Sequence, residues 1–168
     1  MPDRKTVERA EEDKREGKSP TTQAGEFVRE EMHHVREGKH GARSPKQAIA
    51  IGLSKARRAG VELPPPEEGT TSESTRRSAE RNLAAGRKPS SWRKVSGKLS
   101  RAIKKALKRE GRSAASKPAL SKQAKSAARR RSPSARSAAG RKAAKTKGAA
   151  GRSAAARKAA KTRSKRRG

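Results

Sequence analysis

The first hydrophobic pattern along the chain has the spacing of a helix. In residues 22–37 the apolar positions recur at i, i+4, i+8 and i+11, which places them on one helical face. Gly38 follows as a natural C-terminal stop. The apolar stripe consists of Ala24, Val28, Met32 and Val35, with Phe27 at its edge. This pattern predicts a helix with one buried face.

A second helix is predicted after a short polar connection. Ser44 and Gln47 have the spacing of a capping box, in which we expect Gln47 to reach back to the Ser44 amide. Pro45 suits the first helical position because it needs no amide partner there. Gly60 then supplies a left-handed stop, against which Val61 is expected to close a Schellman motif. The inward face is expected to carry Ala48, Ile49, Gly52, Leu53, Ala56 and Ala59.

The most strongly amphipathic segment is residues 91–110, with Ser91 as the expected N-cap. On a helical wheel its apolar side chains occupy about 140° and its cations the remainder. We expect the apolar stripe to be buried against the preceding helices or against a second copy of the chain. A membrane surface and a groove on another protein are the alternatives. The stripe consists of Trp92, Val95, Leu99, Ala102, Ile103, Ala106 and Leu107, and self-association is expected through Trp92, Leu99 and Ile103.

Other segments carry weaker signals. Residues 6–16 are charged all round, so a helix there is expected to fray. Residues 72–85 favour a short helix stopped by Gly86, with little apolar surface beyond Leu83. Beyond residue 111 the sequence is low in complexity, and SAAGRKAAKTK recurs 16 residues later as SAAARKAAKTR. Because this repeat is short and polar, we expect it to preserve the spacing of charges rather than to form a packed structural unit.

Composition limits how much of the chain can fold. Hydrophobic residues make up 29% of the 168 residues and aromatic residues 1%, too few to cover a conventional core of this length. We therefore predict a mainly α fold with extensive disorder: a small two-helix hairpin, a separate basic amphipathic helix and a disordered basic C-terminal tail. The predicted divisions are a charged N-terminal segment (1–19), the hairpin (20–63), a Pro-rich linker (64–71), a basic helical segment (72–111) and the disordered tail (112–168).

The formal net charge of +31 is distributed as a gradient. Residues 1–69 carry 14 basic and 13 acidic side chains, residues 70–110 carry 13 and 3, and residues 111–168 carry 20 and none. This layout is typical of a protein that holds a polyanion through its C-terminal part. About 30 mobile cations can neutralise about 50 Å of duplex, on the order of 15 base pairs.

We predict a non-enzymatic, largely sequence-independent DNA-binding protein of nucleoid-associated, histone-like type. RNA stays open as an alternative, although stacking aromatics are almost absent. A plasmid-maintenance or protein-partner module that uses the hairpin is another alternative. The candidate DNA-binding residues are Arg43, Lys46, Arg57, Arg58, Arg93, Lys94, Lys98, Arg101, Lys104, Lys105, Lys108, Arg109, Arg129, Arg130, Arg131, Arg141, Lys142, Arg157, Lys158, Arg166 and Arg167.

Enzyme chemistry finds no support in the residue patterns. The chain has no cysteine, and we find neither a nucleophile with its base nor a phosphate-binding loop. Glu30-x-x-His33 and Glu31-x-x-His34 imitate carboxylate–histidine metal motifs, but we expect them on a solvated helix face. We therefore predict no catalytic residue, metal, cofactor or small-molecule substrate. Without a membrane-spanning run or a signal peptide, the chain is expected in the cytoplasm and nucleoid.

One stretch of the chain resembles a known family. The stretch is residues 25–61, with the sequence GEFVREEMHHVREGKHGARSPKQAIAIGLSKARRAGV. It resembles the shared core of small basic bacterial proteins classed as a domain of unknown function. Members are sometimes labelled DNA-binding or plasmid stabilisation proteins, which implies a bacterial, cytoplasmic setting and supplies no catalytic residues. Separately, the tail is similar in composition to the Lys/Ala-rich C-terminal domains of linker histones and bacterial histone-like proteins.

Overall fold

The structure, a computed structural model, describes residues 2–87 and 97–164, with the backbone alone at residues 98–100. Within these ranges the chain is mainly α-helical, as predicted. By contact the chain divides into two compact units, Met1–Gln123 and Ala124–Gly168. The domain limits inferred from composition stay predictions. The helices are α1 (Arg4–Arg15), α2 (Pro20–Glu37), α3 (Pro45–Arg58), α4 (Glu73–Arg87), α5 (Gly97–Arg109), α6 (Lys117–Arg129) and α7 (Pro133–Ser164), with a 3₁₀ turn at Ser113–Ala115.

Helices α2 and α3 pack against each other through the predicted stripes. Their backbones approach closely at Gly52, where a Cβ would lie 2.7 Å from Val28 Cα. Phe27, predicted at the edge of the stripe, is fully buried and is the largest such side chain in the described part of the chain. The other buried apolar residues of the two helices are Ala24, Met32, Val35, Ala48 and Ala56.

The ends of α3 follow the predicted capping logic with one change. Ser44 Oγ accepts from the Gln47 amide at 3.3 Å. Gln47 Oε1 accepts from the Arg43 amide at 2.7 Å rather than from the Ser44 amide, so the side chain reaches one residue further back than predicted. At the other end, Gly60 has φ 90° and the Val61 amide bonds back into the last turn. The predicted Schellman motif is confirmed.

The prediction that the first charged segment frays is wrong. Helix α1 packs on α2 with Thr6 and Ala10 buried and Val7 partly buried. Arg9 Nε lies 3.0 Å from Glu26 Oε2 on α2. Two small side chains one turn apart allow close packing, and this face is missed by a search for large apolar residues.

Helix α4 also packs on the hairpin, which is therefore not a free-standing two-helix unit. Ala79 and Asn82 are buried, and Asn82 Oδ1 accepts from Arg58 Nε at 2.7 Å. Gly86, predicted as a stop, lies inside α4, and a Cβ there would clash with the Arg57 carbonyl oxygen. Gly86 is thus a point of backbone contact between α3 and α4.

Part of the predicted disordered tail belongs to the core. Ala114 and Ala115 are buried, and Arg36 Nε donates to the Ala115 carbonyl at 3.0 Å. The Gly41 amide donates to the Leu107 carbonyl at 2.9 Å, which ties the end of α5 to the loop between α2 and α3. The two alanines share a cluster with Met32, Val35, Ala42 and Ala48.

In the second unit the prediction of disorder is likewise wrong. The chain from Pro133 to Ser164 is helical, with one non-helical residue at Gly148, φ 66° and ψ 176°. None of the residues of α7 is buried. Alanine, lysine and arginine are among the best helix formers, so local propensity supplies the order that composition alone argued against.

Candidate nucleic-acid interface

The cationic face of α5 is exposed as predicted. Five of its cations are solvent-exposed, on a helix whose backbone is held at its C-terminal end by the Leu107 carbonyl. Arg93 and Lys94 lie outside the described residues, and so does the side chain of Lys98. The exposed cations are Arg101, Lys104, Lys105, Lys108 and Arg109.

The candidate cations of α6 and α7, and those between these helices, are exposed too. They are Arg129, Arg130, Arg131, Arg141, Lys142, Arg157 and Lys158, whereas Arg166 and Arg167 lie outside the described residues. The two copies of the internal repeat, 137–147 and 153–163, have the same local structure. In each copy the threonine, Thr146 or Thr162, donates to the carbonyl of the lysine four residues earlier at 2.9 Å.

Among the hairpin candidates the outcome is mixed. Arg43 and Lys46 are exposed, and Arg58 is exposed while donating to Asn82. Arg57 was predicted as a DNA-binding residue, which requires an exposed side chain, but it is only 6% exposed. Its guanidinium donates to the carbonyl oxygens of Leu63 and Pro64. Arg57 is thus unavailable to a phosphate.

The two ends of the chain differ in how their cations are paired. In residues 2–87 and 97–164, every ion pair draws its cation from the segment between Arg4 and Arg87. Arg76, for example, bridges Glu73 at 3.0 Å and Glu80 at 2.7 Å. Residues 111–168 contain no carboxylate side chain with which to pair. Among the described residues, no cation of the C-terminal part from residue 97 onward takes part in an ion pair.

The apolar stripe of α5 is only partly covered. Ile103 is 50% exposed, Ala102 and Ala106 are exposed, and Leu107 is half-buried. Trp92 and Val95 lie outside the described residues, as does the Leu99 side chain. Within its described length, α5 therefore leaves apolar surface in solvent beside its cations.

A polar cluster inside the hairpin was missed by the sequence reasoning. Glu30 and Glu31 are 4% and 0% exposed, so the prediction of a solvated face is wrong for them, while His33 is exposed as expected. Lys55 Nζ lies 3.2 Å from Glu30 Oε1 and 2.7 Å from Glu31 Oε2. Burial acts to lower the pKa of Lys55, but these two carboxylates outweigh it and hold the pKa above its ordinary value.

The position of this cluster follows from contacts between elements and not from the local sequence pattern. Glu30 contacts the Asp3 amide ahead of α1, and both glutamates contact Lys55 of α3, which helical periodicity in α2 alone cannot show. The loop after α2 adds His40, whose Nε2 lies 3.1 Å from Glu31 Oε1.

Within residues 2–87 and 97–164, none of the helices combines the length and the hydrophobicity that a transmembrane span requires.

Comparison with known proteins gives a match to a protein family. Residues 15–67 match the profile of a family described as "Family of unknown function (DUF6496)". No curated protein matches the chain. No solved structure matches it. The matched segment covers α2, α3 and the loop between them, and it carries the resemblance seen in residues 25–61, which is thereby supported as similarity to a family of unknown function.

Proposed function

We propose that this protein binds duplex DNA with little sequence preference, as a nucleoid-associated protein, through the exposed cations of α5, α6 and α7. The observation that carries the proposal is the contrast in pairing. Seven of the fifteen lysines and arginines of the first four helices form ion pairs, whereas the twenty of residues 111–168 have no carboxylate side chain in their own segment. Unpaired cations gain most from phosphate because no intramolecular ion pair must be broken first.

The spacing of the repeat supports a phosphate-binding role. At 100° per residue, Arg141, Lys142 and Lys145 fall within a sector of about 100° of the helix, and the second copy repeats this arrangement. Gly148 separates the two copies with a backbone conformation that favours glycine. Each copy thus presents a compact cationic group. Twenty cations match the charge on about 34 Å of duplex.

Helix α5 also exposes apolar side chains beside its cations. Phosphates can neutralise the cationic face, but they leave Ile103 in solvent. We therefore include self-association through α5, which would allow one protein to bridge or coat DNA cooperatively. Binding to a membrane surface or to RNA is tested as a competing outcome.

The test uses two variants that lose the same four charges. In the tail variant Arg141, Lys142, Arg157 and Lys158 are replaced by Gln, and in the control variant Arg4, Arg29, Arg76 and Arg77, all in ion pairs, are replaced by Gln. Fluorescence anisotropy of a labelled DNA duplex across a salt series gives the slope of log K against log salt. We expect the tail variant to lose about 0.9 of slope per lost phosphate contact and the control to keep the full slope.

Equal losses in both variants would show that net charge alone drives binding and would contradict the assignment to the tail. Anionic vesicles and structured RNA serve as competitors in the same assay. We expect vesicles to compete poorly with duplex DNA. Stronger displacement by RNA than by DNA would replace duplex DNA with RNA as the ligand.

A further inference from the structure

Inside the hairpin, a carboxylate oxygen of Glu31 faces a ring nitrogen of His40. Glu31 is fully buried, and neither of its carboxylate oxygens has a partner in hydrogen-bond geometry. Nε2 of His40 lies 3.1 Å from Oε1. The Lys55 Nζ lies 2.7 Å from the other oxygen, Oε2, but the angles at this contact do not meet those of a hydrogen bond. Oε1 is thus a buried charged acceptor without a hydrogen-bond partner, and an imidazole nitrogen lies beside it.

The backbone sets which nitrogen of His40 carries a proton. Nδ1 lies 3.0 Å from the carbonyl oxygen of Gly41, which can only accept. In the neutral ring the proton therefore sits on Nδ1, and Nε2 presents its lone pair to Glu31. A lone pair directed at a carboxylate oxygen is repulsive unless a cation lies between them. Fixing of the ligand tautomer by a backbone carbonyl is a common feature of histidine metal sites.

We propose that Glu31, His34 and His40 form a binding site for a divalent transition-metal ion of the zinc class. One ligand atom from each residue lies within 4.8 Å of the other two. Two ligands bound to one zinc ion at about 2.0 to 2.1 Å in tetrahedral geometry lie about 3.3 Å apart, close to the separation of Nε2 and Oε1. Small side-chain rotations would bring the His34 ring onto the same ion.

Neighbouring groups fit the role of a supporting shell. The two ring nitrogens of His34 lie 3.9 Å from Glu30 Oε1 and 3.6 Å from Asp3 Oδ2. Whichever nitrogen binds the ion, the other therefore keeps a carboxylate nearby to orient the ring. Three carboxylates and the Lys55 ammonium give the cluster a formal charge of −2 with neutral histidines, which a divalent cation balances.

The donor set favours zinc over the hard cations. Two imidazoles with one carboxylate suit Zn²⁺, whereas Mg²⁺ and Ca²⁺ prefer oxygen ligands alone. The side chains of His34 and His40 are 12% and 17% exposed. His40 also lines an open cleft with Glu37, Gly38 and Gly41, which offers the ion an entry path. Such an ion would fix the loop to which the end of α5 is hydrogen-bonded.

The experiment titrates the untagged full chain, stripped with a chelator and freed of nucleic acid, with Zn²⁺ alone in a calorimeter at pH 7.5. All three histidines of the chain lie between His33 and His40, so His33, exposed and outside the cluster, provides a matched control. We expect one ion per chain. His40→Gln should weaken binding at least about tenfold, and His33→Gln should leave it unchanged.

A second readout guards against misfolded variants. Co²⁺ bound to the wild-type chain should show the visible absorption of a four-coordinate site, and circular dichroism should show that His40→Gln keeps its helices. Absence of stoichiometric Zn²⁺ binding in the wild-type chain would overturn the proposal. An equal loss in His33→Gln and His40→Gln would overturn it as well. An imidazolium ring at His40 together with no metal uptake would show that a proton, not a metal ion, lies between Nε2 and Oε1.

Discussion

Arg57 Nε donates to the carbonyl oxygen of Leu63 at 3.1 Å. The same guanidinium donates through Nη2 to the Pro64 carbonyl at 3.0 Å. Pro64 and the prolines after it cannot donate backbone hydrogen bonds, so the chain leaving α3 has few partners of its own. Arg57 supplies them, and burial lowers its pKa without removing its charge.

The first prediction concerns this contact. Replacing Arg57 with Met leaves two carbonyl groups without their donor, so the free energy of unfolding should fall by about 1 to 3 kcal/mol. Lys46→Met, at an exposed cation of the same helix, should change it by less than about 0.5 kcal/mol. Urea unfolding followed by circular dichroism measures both. Equal stability of the two variants would contradict a structural role for Arg57.

The second prediction compares two helical glycines. A Cβ at Gly52 would lie 2.7 Å from Val28 Cα, whereas one at Gly25 would have no atom within 4 Å. Gly52→Ala should therefore destabilise the chain by about 1 to 3 kcal/mol through overpacking. Gly25→Ala should stabilise it by about 0.5 to 1 kcal/mol through helix propensity. Thermal and urea unfolding of the pair should give effects of opposite sign, and effects of the same sign would contradict the close approach of α2 and α3.

The third prediction follows from the raised pKa of Lys55. A pKa raised on folding means that the charged amine adds stability below its unfolded value, and that this stability is lost as pH rises through the folded value. Lys55→Met leaves Glu30 and Glu31 uncompensated, so at pH 7 it should cost about 3 to 5 kcal/mol. The difference from wild type should shrink above about pH 10.5. Urea unfolding at pH 7 and pH 11 tests this, and a difference that grows with pH would contradict it.

Local chemistry was predictable where the signal lay within a few residues. The Ser44 cap, the Gly60 stop and the apolar stripes of α2 and α3 follow from periodicity and capping rules, and the structure confirms them. The packing of α1 and α4 was not predictable in this way. Their contacts use alanine, threonine, asparagine and glycine, which carry little hydrophobic signal individually.

The buried polar cluster around Glu31 was not predictable from the sequence for a related reason. Glu31 lies against Lys55 of α3 and His40 of the loop after α2, and the periodicity of α2 alone does not show these contacts. The helix in the tail is not predictable from hydrophobicity, because a low apolar content favours disorder whereas alanine, lysine and arginine favour helix locally. Ala114 and Ala115 show the same limit, because a pair of alanines fills a gap that no sequence pattern marks.

The fourth prediction separates the two faces of α5. Replacing Leu99 and Ile103 with Ser should weaken cooperative or bridging behaviour on DNA and leave the salt slope nearly intact, because no cation is removed. Replacing Lys104, Lys105 and Lys108 with Gln should reduce the slope by about 0.9 per lost contact and leave association intact. Analytical ultracentrifugation and anisotropy measure the two properties. If both variants lose the same property to the same degree, the two faces are not separate devices.

The most direct test of DNA binding removes the second unit while keeping the first. Truncation after Gln123 follows the boundary between the units and retains Ala114 and Ala115, whereas truncation after Glu110 would remove both from the core. The measurement is the slope of log K against log salt for duplex DNA, with the full chain and residues 1–123 compared. We predict a steep negative slope for the full chain and a much shallower one for the truncated chain. Equal slopes for the two chains, or a flat slope for the full chain, would contradict the proposal.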